Sequence, residues 1–281
     1  MDLLGLVGHP VGHSMSKVMH EAVFRKLGVS ASYELFDVES GGLKSFIEGA
    51  REGFTGLNVT IPHKVSVIDF IDELSEVAEL IGAVNTVKFE DGRAFGFNTD
   101  GIGFVESLRH EGVGVCGKNV LILGAGGAAR AITFQSILEG AFVSLSNREE
   151  EKQMAVDLAS EACGKTGGSV LVVDMDLESL KSHLAGVDIL VNATPLGMHP
   201  RTEVSVIDAG IIPEGVVVVD IVYNPVETKL LREAGARGLK TVSGVGMLVH
   251  QGAEAERIWL GIEPPLETMY KAVLTALDVR K

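Results

Sequence analysis

The stretch VLILGAGGAARA, residues 120–131, decides the fold. Val120 to Leu123 form an apolar run that suits a strand buried on both faces of a parallel sheet. Gly124, Gly126 and Ala129 then fit the spacing G-x-G-x-x-G/A, and a helical run follows. In the order strand, glycine turn, helix, small residues let a pyrophosphate approach the free N–H groups of the helix N-terminus. A tight turn with no ligand is the competing reading, and the flanking strand and helix weigh against it.

Outward from this turn the chain keeps one rhythm. FVSLSNR (142–148) is a strand, EEEKQMAVDLASEAC (149–163) a helix, and SVLVVDM (169–175), VDILVNAT (187–194), GVVVVDIV (215–222) and LKTVSG (239–244) are further strands. The N-terminal side alternates too. LLGLVG (3–8), YELFDV (33–38) and GLNVT (56–60) read as strands, SKVMHEAVFRKLG (16–28) and GLKSFIEGARE (42–52) as helices. Val18, Ala22, Val23 and Leu27 share a face of the first helix. KVSVIDFIDELSEVAELIG (64–82) reads as helical for most of its length, and AVNTVKFEDGRAFGFNTD (83–100) as a hairpin turning at EDGR. DGIGFVESLRHEG (100–112) is a connecting helix, and GMLVHQGAEAERIWLG (246–261) and PLETMYKAVLTALDVR (265–280) are two more. The expected class is α/β. A nucleotide-type domain over 104–245 is inserted in a domain made of 1–103 and 246–281.

Composition narrows the function. Lys plus Arg total 24 against 38 Asp plus Glu, a net charge of −14, which argues against nucleic acid as a partner. Two cysteines, Cys116 and Cys163, make no disulfide framework or metal pattern, and a reducing interior fits. MDLLGLVGHP lacks the basic flank of a signal peptide, and no apolar stretch approaches the ~20 residues of a membrane span, so the cytoplasm is expected. His9 and His13 are four apart, but Pro10 and Gly12 between them disfavour helical metal-ligand geometry, and no metal is expected.

The nucleotide type is read at the end of the second strand of the inserted domain. An Asp or Glu there would accept from a ribose 2′-hydroxyl, whereas this chain has Asn147 and Arg148. Arginine pairs bidentately with a 2′-phosphate, which favours NADP. Glu149, Glu150 and Glu151 follow at once and oppose it unless they turn away, with Lys152 as an offset, so NAD stays open.

Polar residues at strand ends of the first domain are candidates for substrate contact. They are Ser14 and Ser16 before a helix, Thr60 and Lys64 after a strand, Asn85, and Asp100 at the hairpin's end. Helix capping by the serines, and turn formation by Asn and Asp, are the ordinary alternatives. In order and spacing, GHSMSK, GLNVTIPHK, GAVNT, FGFNTDGIGF, VLILGAGGAARA, NATPLGM, DIVYNP and GVGMLVHQGA resemble the shikimate dehydrogenase family over nearly the whole chain. The resemblance implies NADP-dependent interconversion of 3-dehydroshikimate and shikimate, in the chorismate route to aromatic amino acids. It also implies a Rossmann domain, a smaller discontinuous α/β substrate domain, and a cleft between them.

Carried over by position, the resemblance puts Ser14 and Ser16 on the substrate carboxylate. Thr60, Lys64, Asn85, Asp100, Tyr223 and Gln251 would surround the ring hydroxyls, with Lys64 and Asp100 as the catalytic pair. On the cofactor side it implies Gly124, Ala125, Gly126, Gly127, Ala128, Asn147, Arg148 and Lys152. Ile221 and Gly244 would lie beside the nicotinamide, Met247 near it, and Glu76 matches a further cofactor-contact position. Two positions depart from the family pattern. Lys17 stands where proline is usual, and Glu149 replaces the threonine of Asn-Arg-Thr, which would weaken discrimination against NAD.

The chemistry explains an amine just past Pro62. Oxidising a secondary alcohol removes a hydride from carbon and a proton from oxygen, and a protein group must take the proton. Lys64 would carry it and Asp100 would orient lysine and substrate. His63 beside it is expected to point elsewhere. The expected partner is a small-molecule substrate, with no nucleic acid and no membrane, and a homodimer is compatible with the reading. An NAD-linked quinate/shikimate dehydrogenase, or a paralogue that binds without catalysis, would carry much of the same polar set.

Overall fold

The first apolar run forms β1 (Asp2–Gly8), which lies between two parallel neighbours, β2 (Ala31–Asp37) and β3 (Gly56–Val59). Helices α1 (Ser16–Leu27) and α2 (Leu43–Ala50) make the crossovers. Then come β4 (Glu73–Leu74), α3 (Glu76–Ile81) and the hairpin of β5 (Thr86–Glu90) and β6 (Arg93–Phe97). The hairpin turns at Asp91 (φ 51°) and Gly92 (φ 73°), the two left-handed residues that a tight turn matching the strand twist requires. The strands order as β2-β1-β3-β5-β6-β4, with β5 antiparallel to β3 and β6. The computed structural model describes residues 1–279.

The helix expected across 64–82 is interrupted. A 3-10 turn spans Ser66–Phe70, and the backbone then extends to pair with β6: Asp72 N donates to Ala94 O at 2.9 Å and Ser75 N to Gly96 O at 2.9 Å. Arg51 fixes this path from α2 by an ion pair with Asp72 and a 2.8 Å bond to Phe70 O. Residue periodicity cannot register that distant guanidinium. Ser75 caps the short α3 by accepting from Ala78 N.

One face of this sheet packs Leu43, Ile47, Leu57, Val59, Val84, Val87 and Phe89, edged by the rings of Phe36, Phe46 and Phe54. Of the expected stripe only Val23 is fully buried, beside Met19, His20 and Phe24, whereas Val18 and Ala22 are half-buried and Leu27 is 45% exposed. A hydrophobicity pattern scores histidine as polar. Here His20 is fully buried because its Nδ1 lies 2.7 Å from the equally buried Glu256.

The second sheet comprises β7 (Asn119–Leu123), β8 (Phe142–Ser146), β9 (Val170–Val172), β10 (Ile189–Asn192), β11 (Val217–Asp220) and β12 (Thr241–Ser243). They follow α4 (Asp100–His110) and alternate with α5 (Gly127–Leu138), α6 (Lys152–Thr166), α7 (Leu177–Leu184) and α8 (Lys229–Ala236). Every pairing is parallel, in the order β12-β11-β10-β7-β8-β9. This is the doubly wound Rossmann order, which switches direction between β7 and β10. Leu121, Leu123, Leu190, Val218, Leu230 and Leu231 fill one side of the sheet. Each such side chain adds roughly 1.5–3 kcal/mol by leaving water. The strand expected over 169–175 is only three residues long, because it is an edge strand with Leu171 56% exposed.

Two helices close the chain, α9 (Gly244–Leu260) and α10 (Leu266–Val279). The last residue of the helix expected over 265–280 lies outside the described residues. The fold thus comprises two units: Met1–Gly103 with the residues from Val249 onward, and Phe104–Leu248. Among the described residues no helix is long and apolar enough to cross a membrane.

Candidate active site

Lys64 follows β3 through the turn Thr60–His63, where His63 N donates to Thr60 O at 2.9 Å. Its own carbonyl is held by Val84 N at 2.7 Å, so the backbone is fixed on both sides. Asp100 opens α4, and its N–H donates to Asn98 Oδ1 at 3.1 Å. These two anchored positions bring Lys64 Nζ to 2.5 Å from Asp100 Oδ2, with side chains 17% and 8% exposed. Asn85, between α3 and β5, donates from Nδ2 to Asp100 Oδ1 at 2.8 Å and lies 3.5 Å from Gln251 Oε1. Gly103 permits that approach, since a Cβ there would stand 2.7 Å from Gln251 N. The pair is a cation and an anion shielded from bulk water, each hydrogen-bonded, with an amine at the edge able to reach a ligand oxygen.

His63 faces the other way. It is fully buried and its Nε2 lies 2.6 Å from Val38 O.

Ser14 and Ser16 are adjacent in space. Ser14 Oγ donates to Ser16 Oγ at 3.2 Å, and Ser16 N donates to Ser14 Oγ at 3.2 Å. The Ser14 hydroxyl thus takes the first N–H of α1, while Met15 at the N-cap supplies no side-chain bond. Lys17, the residue after the pair, is held by Glu34 at 2.5 Å. Thr60 follows β3 with its N–H on Val7 O at 2.9 Å.

In the second unit the glycine turn lies between β7 and α5. Gly124 has φ +109°, and a Cβ there would lie 3.0 Å from Thr194 Cγ2 and 3.1 Å from Ala193 O. Gly126 precedes α5 without any side-chain cap, and a Cβ on it would meet nothing within 4 Å. No side chain caps the first turn of α5, whose N–H groups include those of Gly127 and Ala128, and such a helix start suits an anion such as a pyrophosphate. At the end of β8, Asn147 Nδ2 donates to Glu151 O at 3.0 Å, and its Oδ1 accepts from Arg148 N at 3.1 Å. Arg148 pairs with Glu151 and Lys152 with Asp174. The guanidinium beside Glu151 holds that carboxyl below its usual range, and Glu151 in turn raises Arg148. Both cations at this corner thus already have carboxylate partners.

Ile221, Tyr223, Gly244 and Met247 belong to this second unit. Ile221 follows β11, where buried Asp220 accepts from Asn192 Nδ2 at 3.0 Å, Val222 N at 3.0 Å and Thr228 Oγ1 at 2.7 Å. Burial pushes the Asp220 carboxyl up. Gly244 presses on this loop: a Cβ would sit 2.2 Å from Ile221 O and 2.7 Å from Val222 O. Both neighbours are backbone and cannot swing aside. Gly244→Ala is expected to destabilise the protein by about 2–3 kcal/mol, read as a lowered denaturant midpoint. A midpoint equal to wild type would show that the loop yields.

Glu76, expected on the cofactor side, is the first residue of α3 and lies in the unit that holds Lys64, whereas the glycine turn lies in the other. The sequence reading missed Tyr33, Thr86 and Thr99, and passed over Asn58 as strand. Tyr33 donates to Asn58 Oδ1 at 2.7 Å, and Thr99 N donates to Asn85 Oδ1 at 2.7 Å. The one available signal was a polar residue inside the otherwise apolar β3, all of it buried.

Known proteins resemble this chain closely. Residues 6–87 match the family model of the shikimate dehydrogenase substrate binding domain, and residues 244–274 that of the shikimate 5′-dehydrogenase C-terminal domain. The shikimate dehydrogenase (NADP(+)) of Methanocaldococcus jannaschii is 45% identical over 97% of this chain and 96% of its own. A crystal structure of a shikimate dehydrogenase in complex with NADP+ superposes with a TM-score of 0.93 at 43% identity, covering 99% of this chain and 96% of the other. Quinate dehydrogenase from Corynebacterium glutamicum in complex with NAD reaches 0.90 at 32% identity, covering 98% and 99%.

Proposed function

The chain belongs to the shikimate dehydrogenase family, and from that premise we propose that it is an NADP-linked oxidoreductase interconverting 3-dehydroshikimate and shikimate. The reaction serves the chorismate route to aromatic amino acids. The observation that carries this reading is the 2.5 Å Lys64–Asp100 pair, braced by Asn85 at 2.8 Å.

NADP, when bound, exchanges a hydride with the substrate carbon. Lys64 Nζ holds the proton at the reacting oxygen: it donates to the carbonyl oxygen in reduction and accepts from the hydroxyl in oxidation. Asp100 orients that amine, and Asn85 and Gln251 lie within its reach for ring hydroxyls. Ser14 and Ser16 turn their hydroxyls to the carboxylate. The glycine turn takes the pyrophosphate and Arg148 the 2′-phosphate.

A second reading is an NAD-linked dehydrogenase of quinate and shikimate. Similarity to the quinate dehydrogenase favours it, as does the occupation of Arg148 by Glu151. Specificity constants for shikimate and quinate, each with NADP and NAD, separate the two. Turnover of shikimate with NADP at least tenfold above the other three combinations supports the first reading, and quinate with NAD in the lead overturns it.

The corner itself can be tested. Glu151→Gln removes the carboxylate that competes for Arg148, so KM for NADP should fall about threefold with KM for NAD unchanged, as suits a surface ion pair. Arg148→Ala should raise KM for NADP roughly tenfold and spare NAD. Equal effects on both nucleotides would place the 2′-phosphate elsewhere.

A further inference from the structure

A dinucleotide seated on the second sheet has to cross four strand ends. The order β11-β10-β7-β8 puts the Asn147–Arg148 corner on one side of the glycine turn and the loop of Ile221 and Tyr223 on the other. β8 and β11 stand three strand spacings apart, roughly 14 Å. Two buried side chains outside the assigned residues join the Ile221 loop to the turn.

Asn192 ends β10 and Asp220 ends β11; they are register partners, 1% and 0% exposed. The ladder between these strands closes where Ile221 N donates to Asn192 O at 3.1 Å, and the two loops meet again where His199 N donates to Asn224 O at 2.9 Å. Between these two ties the side chains hold the backbone. Asn192 Oδ1 accepts from Thr194 N at 3.0 Å and Thr194 Oγ1 at 2.7 Å, and its Nδ2 donates to Leu196 O at 3.2 Å. These bonds fold the loop after β10 so that Ala193 and Thr194 crowd Gly124. Nδ2 also donates to Asp220 Oδ1 at 3.0 Å. The same carboxylate oxygen accepts from Val222 N at 3.0 Å, and Oδ2 accepts from Thr228 Oγ1 at 2.7 Å. The orientation of both side chains is fixed by partners of one kind, since Thr194 N and Val222 N can only donate and Leu196 O can only accept. Asp220 Oδ1 is thus the atom at which the two loops join.

We propose that Asp220 is a positioning residue for hydride transfer, its Oδ1 holding the loop of Ile221 and Tyr223 at a fixed distance from the glycine turn through Asn192. The inference rests on the reading of turn and loop as the pyrophosphate and nicotinamide sides of one dinucleotide site. A loop that shifts leaves the adenosine end untouched, because that end belongs to β8 on the other side of the turn. It displaces the reacting ring, where an error of about 1 Å costs up to about a hundredfold in rate.

Asp220→Ala removes the join. Its kcat for shikimate oxidation should fall about tenfold or more. The dissociation constant of NADPH should rise about fivefold, within the range of one net hydrogen bond. That of adenosine 2′,5′-bisphosphate, which carries the 2′-phosphate and no nicotinamide, should move less than about twofold, as suits a distant site. Two companion variants separate position from stability. Asp220→Asn keeps an oxygen for Val222 N and Asn192 and turns its NH2 to Thr228 Oγ1, so kcat should stay within about threefold of wild type. Thr228→Val deletes a buried bond and the cap of α8 but leaves Oδ1 alone, so its thermal midpoint should drop while kcat stays within about threefold. Should Asp220→Ala not fold, Asn192→Ala opens the same join from the other side and is expected to give the same split between the two nucleotides. The proposal is overturned by wild-type NADPH affinity in the folded alanine variant, by an equal loss for the bisphosphate, or by either companion slowing as much as the alanine. Because both nucleotide affinities are read without shikimate, a wild-type protein that fails to oxidise shikimate would sink the functional reading and leave this test standing.

Discussion

Lys64→Ala is expected to lower kcat for shikimate oxidation about a thousandfold while the dissociation constant of shikimate moves less than about threefold. The magnitude is that of a positioned proton carrier, roughly 10²–10⁴ in rate. The split between rate and binding follows from the geometry. Lys64 is one donor in a site that also offers Asp100, Asn85, Gln251 and two serine hydroxyls, so most ground-state contacts survive its removal. The transition state alone needs a group that gives up or takes a proton. The truncation also strips Asp100 of its cation in a largely buried place, which costs up to about 3 kcal/mol. The thermal midpoint must therefore be measured beside turnover, and the assay run well below it. A folded variant with turnover within tenfold of wild type would refute Lys64 as the proton carrier. One that loses binding in proportion to turnover would make it a substrate clamp.

Asp100→Asn should lower kcat about a hundredfold and leave the fold intact. The carboxylate accepts from Lys64 on one oxygen and from Asn85 on the other, at 2.5 and 2.8 Å. An amide of the same shape presents its NH2 to one of these two donors, so one bond becomes a clash of hydrogens and the ammonium loses its counter-ion. If Lys64 faces away, Asn85 keeps its bond and the substrate its site. If Asn85 turns, the ring hydroxyls lose a partner instead. Crystallography of the variant distinguishes them. Retention of kcat within about threefold would mean that Lys64 is held by something other than Asp100.

Much of the fold was legible because local chemistry and global order agree. The strand–glycine turn–helix at 120–131 is a local motif, and the apolar strands after it can be buried only in a parallel sheet. The Asp91–Gly92 hairpin was equally local. The interruption between 64 and 82 was not, because Arg51 imposes it from another element. The face of α1 was misjudged for a related reason. His20 is buried by a carboxylate 236 residues away, and no window of sequence contains both.

The site divides along the same line. Residue types and order, with the family resemblance they carry, single out Lys64, Asp100, Asn85 and the serines as candidates. Sequence also marks Gly124 by its place in the glycine spacing, and the structure gives the reason, a backbone at φ +109° that side chains resist. Only the tertiary structure decides which way each hydrogen points. Sequence states that Tyr33, Asn58, Thr86 and Asn85 are present, but a hydroxyl or amide has no direction until its neighbours are fixed. Direction here comes from contacts between β2, β3, β5 and the loops that hold Asn85 and Thr99, which fold together from separate parts of the chain. The same holds for Arg148, whose side chain is visible in the sequence but whose pairing with Glu151 depends on the local turn after β8.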